Sequence, residues 1–196
     1  MDTARYIVAV LMLVGVSYAI PYWFVVHPFV SFWRRLGLRI AYSILIVITL
    51  ALAVAAYLLK DRILTVEYGT SLPLIVLAVI CHGVAIAIQI KVKKHLKFRI
   101  LAGVPEMESS GKGGTLLQEG IYSRIRHPRY TSFMFGVLAI AFFSNYLAMY
   151  VLVPLSAAAL YLVVLLEEKE LRNRFGDDYV RYSSRVPRFV PQMHRA

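Results

Sequence analysis

Residues 130–166 read YTSFMFGVLAIAFFSNYLAMYVLVPLSAAALYLVVLL, an apolar block without a charged side chain. A membrane-spanning helix needs about 20 mostly apolar residues, so this block is too long for one span. Its middle contains Ser144-Asn145-Tyr146, a turn signal. The block therefore predicts a helical hairpin, with one helix over 130–143 and another over 146–166. Because the first arm is short, we expect the hairpin either to tilt or to stop below the far surface.

Three further apolar segments precede the hairpin, over 5–26, 38–59 and 71–90. Hydrophobic residues make up 59% of the chain and charged residues only 17%, whereas soluble domains are about 45–50% apolar and about 25% charged. We therefore expect an all-α integral membrane protein with about five transmembrane helices. The first segment lacks a strong basic start and a clear cleavage site, so it is expected to be a retained helix rather than a signal peptide.

The net charge of +11 agrees with this topology. The loops after the first and third helices and the tail from 167 onward are basic, whereas the second loop is balanced and the hairpin turn is uncharged. Basic loops lie on the cytoplasmic side of membrane proteins. The alternation places the N-terminus outside, and the long loop over 91–129 and the tail in the cytoplasm. No nucleic-acid partner is expected, because the basic residues adjoin apolar spans rather than form a nucleic-acid-binding module.

The dipeptide His127-Pro128 stands where the fourth helix begins. A residue before proline avoids the α region, and proline is favoured as the first helical residue, so His127 is predicted to be the N-cap. Helix starts attract anions through free N–H groups and a partial positive charge. Arg124, Arg126 and Arg129 would strengthen that field. The stretch predicts a site for a carboxylate or phosphate, unless these arginines only anchor the helix to lipid headgroups.

Glu167 and Glu168 follow the apolar fifth helix directly, at a position where acidic residues are uncommon and often functional. Helical spacing puts Glu167 on one side with Glu170 and Arg174, and Glu168 on another. The hairpin brings the cytoplasmic ends of its helices together, so His127 is expected near both Glu167 and Glu168. A basic helix start that faces an acidic helix end suits a zwitterionic ligand with hydroxyl groups. The alternative is a surface ion-pair network worth tenths of a kcal/mol.

Metal and disulfide chemistry are not expected. Cys81 is the only cysteine, so the chain cannot form an internal disulfide. His82 and His95 are separate and have no third ligand, so the sequence predicts no metal site. His82 is expected to hydrogen bond between helices.

A series of motifs in the C-terminal half carries a family resemblance. In order they are GIYSRIRHPRY at 120–130, EE at 167–168, FGDDYVRY at 175–182 and VPRFVP at 186–191. Together they resemble the isoprenylcysteine carboxyl methyltransferase family, part of a wider group of integral membrane methyltransferases that includes the phospholipid methyltransferases. The resemblance covers about 115–191. No GxGxxG signature accompanies a strand, so the fold is not that of soluble methyltransferases.

The resemblance implies an enzyme that uses S-adenosylmethionine and releases S-adenosylhomocysteine. The cofactor pocket would be cytoplasmic. The chain is expected to form one structural domain, with three transmembrane helices in 1–90 and the catalytic region in 91–196. The implied cofactor contacts are Leu116, Gly120, Tyr122, Arg126, His127, Pro128, Tyr130, Glu167 and Glu168. Leu116 and Leu117 would pack on the adenine, and main-chain N–H groups near His127 would bind the cofactor's carboxylate. A glutamate would bind the ribose hydroxyls or the amine.

The resemblance leaves the methyl acceptor open among lipophilic molecules that enter from the membrane lipids. A carboxylate acceptor, as in prenylcysteine, is already ionised at neutral pH and needs no base, and an arginine near it would hold it. Arg174, Arg185 and Arg188 are candidates, with Arg174 first because it continues the fifth helix. The amine or hydroxyl of a lipid would instead make Glu167 or Glu168 useful as a proton acceptor. The stretch 94–106 departs from the Gly- and Ser-containing loop of prenylcysteine enzymes.

Two other functions are compatible with the spans. A non-catalytic assembly factor or transport subunit would explain the helices and the charge bias, but not an acidic pair beside the Arg-His-Pro motif. A sterol-type reductase with a nicotinamide cofactor would normally have more helices.

Overall fold

The computed structural model describes residues 2–26, 29–94 and 115–191. Within these ranges the chain is helical, with seven α-helices and a 3-10 turn at Gly120–Ser123. The α-helices are α1 (Asp2–Val26), α2 (Val30–Leu36), α3 (Leu38–Ile63), α4 (Leu72–Lys93), α5 (Pro128–Ser144), α6 (Leu147–Phe175) and α7 (Asp177–Arg185). All five helices expected from the sequence are present, whereas α2 and α7 were not predicted.

Three helices of the described ranges are long and apolar enough to cross a membrane. They are α4, α6 and the Arg39–Ile63 part of α3. Many of their large apolar side chains are exposed, among them Val47, Leu58 and Val79, as expected for helices whose solvent is lipid. α5 has 17 residues, fewer than the about 20 of a typical span. The shortness of the first hairpin arm is thus confirmed.

The core forms where α1 packs against α3, α5 and α6, while α4 packs along α5. Its buried apolar residues come from α1, α3, α5 and α6 and include Ala9, Met12, Ala56, Val137, Ala141 and Met149. Ser132 Oγ on α5 donates a hydrogen bond to the Ala85 carbonyl oxygen on α4 at 2.9 Å. Small and polar side chains of this kind commonly join helices within membranes. The hairpin of α5 and α6 is therefore held from both sides.

Arg5, which was not among the residues predicted from the sequence, binds the hairpin turn. Arg5 is 1% exposed, and its Nε and Nη2 each donate to the Ser144 carbonyl oxygen at 3.1 Å. Its Nη2 also lies 2.8 Å from Glu67 Oε1. Asn145 is left-handed, with φ 55° and ψ 43°, and its Nδ2 donates to the Gly69 carbonyl oxygen. These contacts fasten the turn to the first turn of α1 and to the loop before α4.

At the other end of the hairpin, a glycine redirects the chain from α6 into α7. Gly176 has φ 53° and ψ −129°, a conformation that is strained for any residue with a side chain. α7 therefore leaves the axis of α6 and packs against its end. The turn brings the buried side chains of Tyr179 and Tyr182 to the end of the hairpin where α5 begins.

Candidate functional site

The start of α5 is built as the His127-Pro128 dipeptide predicts. His127 is the N-cap, with φ −120° and ψ 56°, and Pro128 is the first helical residue. The imidazole makes no capping hydrogen bond and is buried between the rings of Tyr130 and Phe189, with centroids 5.8 and 6.0 Å away. Pro128 and Tyr130 are buried as well. Backbone geometry makes the cap, so the imidazole can turn toward α6.

Glu168 on α6 is the centre of a buried group that we call the Glu168 ion cluster, made of Glu168, Arg126, His127 and Arg188. Glu168 is 2% exposed and accepts two hydrogen bonds from Arg188, from Nε at 3.0 Å and from Nη2 at 2.8 Å. His127 Nε2 donates to Oε1 at 3.2 Å, and Arg126 Nη2 lies 3.1 Å from the same oxygen. A buried carboxylate persists only when it is paired, and these contacts supply the pairing.

Glu167 flanks the other nitrogen of the same imidazole. Its Oε2 lies 3.7 Å from His127 Nδ1, which is beyond hydrogen-bond range. The expected approach of the acidic helix end to the basic helix start is therefore confirmed. Although Glu167 and Glu168 occupy different faces of α6, each faces one nitrogen of His127.

The tail covers the start of α5 through backbone hydrogen bonds. The Arg126 N–H donates to the Pro187 carbonyl oxygen at 2.9 Å, and the His127 N–H donates to the Arg188 carbonyl oxygen at 3.0 Å. Of the main-chain N–H groups near His127 that were expected to bind a cofactor carboxylate, those of Arg126 and His127 are therefore already bonded within the protein. The amides instead hold the tail in place, and Arg188 thereby reaches Glu168.

Helix α7 docks on the same region through a tyrosine and a carbonyl group. Tyr182 Oη donates to the Tyr122 carbonyl oxygen at 2.7 Å, which ties α7 to the 3-10 turn. Burial raises the pKa of Tyr182 to about 12, so its phenol is a neutral donor. Arg126 Nη1 donates to the Ser183 carbonyl oxygen at 3.0 Å. The guanidinium of Arg126 therefore bridges α7 and Glu168.

The residues that precede the Arg-His-Pro motif lie around the 3-10 turn. Tyr122 is buried and packs with Leu117 against Val92 at the end of α4, and burial raises the pKa of its phenol. Leu116 is half-buried, whereas Gly120 is exposed and opens the turn with φ 59°. Tyr122 is thus a packing and anchoring residue in this structure.

Arg174, the arginine expected beside an acceptor, has no ion pair with the acidic residues within the described ranges. Its guanidinium lies over the Phe175 ring, 5.1 Å from the centroid, and its Nε is buried without a hydrogen-bond partner there. Arg185 is exposed, and its Nε donates to the Arg181 carbonyl oxygen. The arginine of this group that contacts Glu168 is Arg188.

Three buried polar atoms near the Glu168 ion cluster lack a hydrogen-bond partner in the described parts of the chain: Arg126 Nε, Glu167 Oε2 and the Tyr179 hydroxyl. Leaving a buried polar group unpaired costs about 1–3 kcal/mol, so such atoms call for a partner. The set contains two donors and one acceptor. It is complementary to a ligand that carries both a carboxylate and an ammonium group.

The tail was expected to belong to the catalytic region, but the sequence did not show which of its groups reach Glu168 and Arg126. Arg188 lies 20 residues beyond Glu168, and Ser183 lies 57 residues beyond Arg126. The motifs at 175–182 and 186–191 gave a signal, since they are part of the family resemblance. They did not reveal which of their side chains turn inward, because that depends on the Gly176 turn and on the backbone bonds of the tail.

The fold and the site define an all-helical membrane protein with a buried ion cluster at one end of a hairpin. The sequence pattern of the family described as phospholipid methyltransferase matches residues 73–178, more than half of the chain. The chain therefore belongs to the phospholipid methyltransferase family. This membership confirms the resemblance to integral membrane methyltransferases and, with the apolar helices, a location in the membrane.

A curated relative adds a partial similarity. The cobalt-zinc-cadmium resistance protein CzcN of Cupriavidus metallidurans is 31% identical over 85 residues, which is 43% of this chain. The match spans 39% of the length of that protein. No solved structure matches the chain significantly.

Proposed function

We propose that this protein transfers a methyl group from S-adenosylmethionine to a lipophilic acceptor in the membrane. The observation that carries the proposal is the set of unpaired buried polar atoms beside the Glu168 ion cluster. Membership in a methyltransferase family supports the reaction class. A non-catalytic membrane subunit would gain nothing from leaving such atoms unpaired, because each one lowers the stability of the fold.

The residues present fit the amino-acid end of this cofactor. Glu167 Oε2 accepts no hydrogen bond from the described residues and would bind the ammonium group. Arg126 Nε donates no hydrogen bond to these residues and would bind the carboxylate. Leu116 and Leu117, both half-buried, would offer apolar contact to the adenine.

The remaining proposed cofactor contacts line the same end of the hairpin and comprise Gly120, Tyr122, His127, Pro128, Tyr130 and Glu168. Among them His127 and Glu168 act through the Glu168 ion cluster, because His127 Nε2 is already bonded to Glu168 Oε1. They keep the start of α5 and the end of α6 at a fixed separation. Such positioning of two reactants can supply about 7–11 kcal/mol of a reaction barrier.

The chain's own residues are proposed to orient the reactants and exclude water. When bound, S-adenosylmethionine supplies an electrophilic methyl group on a sulfonium sulfur. Phe189 lies against His127 and packs with the buried residues around Tyr130, which shields this end of the hairpin from water. Glu167, whose side chain is 29% exposed, is the proposed proton acceptor for an amine or hydroxyl acceptor, through the carboxylate oxygen that does not bind the ammonium group. The carboxylate of Glu168 is already bonded by Arg188 and His127, so Glu168 is not the proposed proton acceptor.

The acceptor is proposed to be a lipid-like molecule that enters between helices from the bilayer. Two classes fit: the amine or hydroxyl of a lipid, and the carboxylate of a prenylcysteine-like compound. Arg174 is the proposed contact for a carboxylate, since its buried Nε is unpaired in the described part of the chain. The exposed apolar surfaces of α3 and α4 are proposed to face the membrane lipids.

The proposed topology has five spans, α1, α3, α4, α5 and α6, with the N-terminus outside and the long loop and tail in the cytoplasm. The charge alternation of the loops supports it. Residues 1–90 would supply the first three spans, and 91–196 would build the catalytic region of the same domain. The Glu168 ion cluster would then lie at the cytoplasmic surface, where S-adenosylmethionine is dissolved.

A calorimetric titration of the purified protein in detergent with S-adenosylhomocysteine tests the proposal. We expect micromolar binding, and Glu167→Gln should weaken it about 10–100-fold, as for the loss of a hydrogen bond to a charged group. Asp178→Asn is the matched control, because the Asp178 side chain is 67% exposed. Absence of binding by folded wild-type protein would reject the proposal in favour of a non-catalytic membrane subunit.

A labelling experiment identifies the acceptor. Membranes that contain the protein are incubated with S-adenosylmethionine radiolabelled on the methyl group, and lipid-extractable products are separated. Base-labile label would indicate an ester and hence a carboxylate acceptor. Base-stable label would indicate an N-methyl product or a methyl ether, and hence an amine or hydroxyl acceptor.

A further inference from the structure

Tyr179 carries a buried hydroxyl that makes no hydrogen bond within the described part of the chain. The residue is 1% exposed, and its hydroxyl has no hydrogen-bond partner among the residues that the structure describes. Buried tyrosines usually bond their hydroxyl. A phenylalanine would fill the same space without the cost of an unpaired polar atom. The hydroxyl therefore weakens the protein unless something binds it.

The neighbouring tyrosine of α7 provides the contrast. Tyr182 stands one turn further along, and the two rings meet edge to face with centroids 6.1 Å apart. Tyr182 Oη donates to the Tyr122 carbonyl oxygen, so this hydroxyl anchors α7. Since Tyr182 already supplies the anchor, the hydroxyl of Tyr179, which bonds none of the described residues, is not needed to hold α7.

The surroundings of Tyr179 indicate what its hydroxyl would bind. Arg126 pins α7 through the Ser183 carbonyl oxygen, and the charges of Glu168 and Arg126 both act on the Tyr179 phenol. Burial raises the pKa of this phenol, so it remains a neutral O–H donor. The carboxylate of Glu168 is already bonded by Arg188 and His127. The unpaired donor near the phenol is Arg126 Nε.

We propose that Tyr179 is a ligand-binding residue of this site, whose hydroxyl donates a hydrogen bond to the carboxylate at the amino-acid end of the cofactor. The inference rests on the proposed function and adds a residue to it. Arg126 Nε and the Tyr179 hydroxyl supply one donor for each carboxylate oxygen, while Glu167 Oε2 accepts from the ammonium group. A ligand that lacks the carboxylate would therefore gain nothing from Tyr179.

The test compares Tyr179→Phe with Tyr182→Phe in two measurements. The first is the melting temperature of the ligand-free protein. Tyr179→Phe should melt at the wild-type temperature or above it, whereas Tyr182→Phe should melt about 2–4 °C lower because it loses an internal hydrogen bond. The second is calorimetric binding of S-adenosylhomocysteine, which Tyr179→Phe should weaken about 10–100-fold. 5′-Methylthioadenosine, which lacks the amino-acid end, should bind wild type and Tyr179→Phe equally.

The outcomes separate this inference from the proposal beneath it. If wild-type protein binds S-adenosylhomocysteine and Tyr179→Phe binds it equally well, Tyr179 is not a ligand-binding residue, while the proposed function stands. If Tyr179→Phe melts as low as Tyr182→Phe, its hydroxyl is bonded within the fold and the inference is wrong. If wild-type protein binds no S-adenosylhomocysteine, the proposed function and the inference are both rejected.

Discussion

Replacement of Glu168 by glutamine should destabilise the protein strongly, because it removes the buried anion that three basic side chains share. The side chain of Glu168 is 3% exposed and that of Arg126 9%, whereas Arg188 is 33% exposed. Removal of one member of a buried ion pair costs about 3–5 kcal/mol. Since Arg188 keeps contact with water, we expect a loss of about 3 kcal/mol. In a protein of this size that corresponds to a melting temperature about 6–12 °C lower.

Thermal unfolding of the ligand-free protein in detergent, followed by intrinsic fluorescence, measures this loss. Asp178→Asn is the control, since its ion pair with Arg181 has side chains that are 67% and 66% exposed. Exposed pairs within a helix contribute about 0.3–0.5 kcal/mol, so the control should melt about 1–2 °C below wild type. The difference between the two variants isolates the effect of burial.

A double-mutant cycle with Arg188→Met examines the cause of the loss. If Glu168 and Arg188 stabilise each other, the double variant should be more stable than the sum of the two single losses indicates, by about 0.5–3 kcal/mol. A Glu168→Gln variant that melts within about 2 °C of wild type would refute the reasoning. Strictly additive losses would refute it as well, because the bidentate contact would then carry no stability.

Other perturbations address the two ends of the hairpin. Arg5→Met should lower the free energy of unfolding by about 3–5 kcal/mol by leaving Glu67 without its buried partner, whereas Asp2→Asn, at an 82% exposed side chain, should be nearly neutral in the same melting assay. Gly176→Ala should cost about 1–3 kcal/mol through backbone strain alone, because no atom lies within 4 Å of the added Cβ; a variant as stable as wild type would contradict the left-handed turn. The raised pKa of Tyr182, about 12, means that the unfolded chain ionises this phenol from about pH 10 while the folded chain does not. Its contribution to stability should therefore be complete below pH 10 and decline toward pH 12, and Tyr182→Phe should flatten that decline in denaturation curves.

The helices could be predicted from the sequence because each one has to be apolar over most of its length. The break at Ser144-Asn145-Tyr146 was visible for the same reason, and Asn145 proves to be left-handed. α2 and α7 escaped prediction, since they are short, mixed in composition and stabilised by contacts with other segments. Trp33 of α2, for example, is buried against Ala41 and Leu45 of α3, which local sequence does not reveal.

Only the part of the candidate site that follows from the hairpin topology could be predicted from the sequence. A hairpin brings its two ends together, and this sufficed to predict that His127 lies near Glu167 and Glu168. The bond between Arg188 and Glu168 was not predicted, because helical spacing describes only one helix, whereas Arg188 reaches Glu168 by backbone bonds between the tail and the start of α5. Arg5 was overlooked for a similar reason, because its partner Ser144 lies 139 residues away. His95 and most of the long loop lie outside the described residues.

The shared carboxylate of Glu168 has a consequence for attempts to recombine this protein with its relatives. Its partners come from segments on either side of the hairpin, since Arg126 precedes the hairpin and Arg188 follows it. Exchange of one of these segments alone would therefore leave a buried charge without its partner. A chimera should keep the stability of the parent protein only when the whole interval from the Arg-His-Pro motif to the end of the tail is transplanted. We therefore expect this interval to be exchangeable only as one unit.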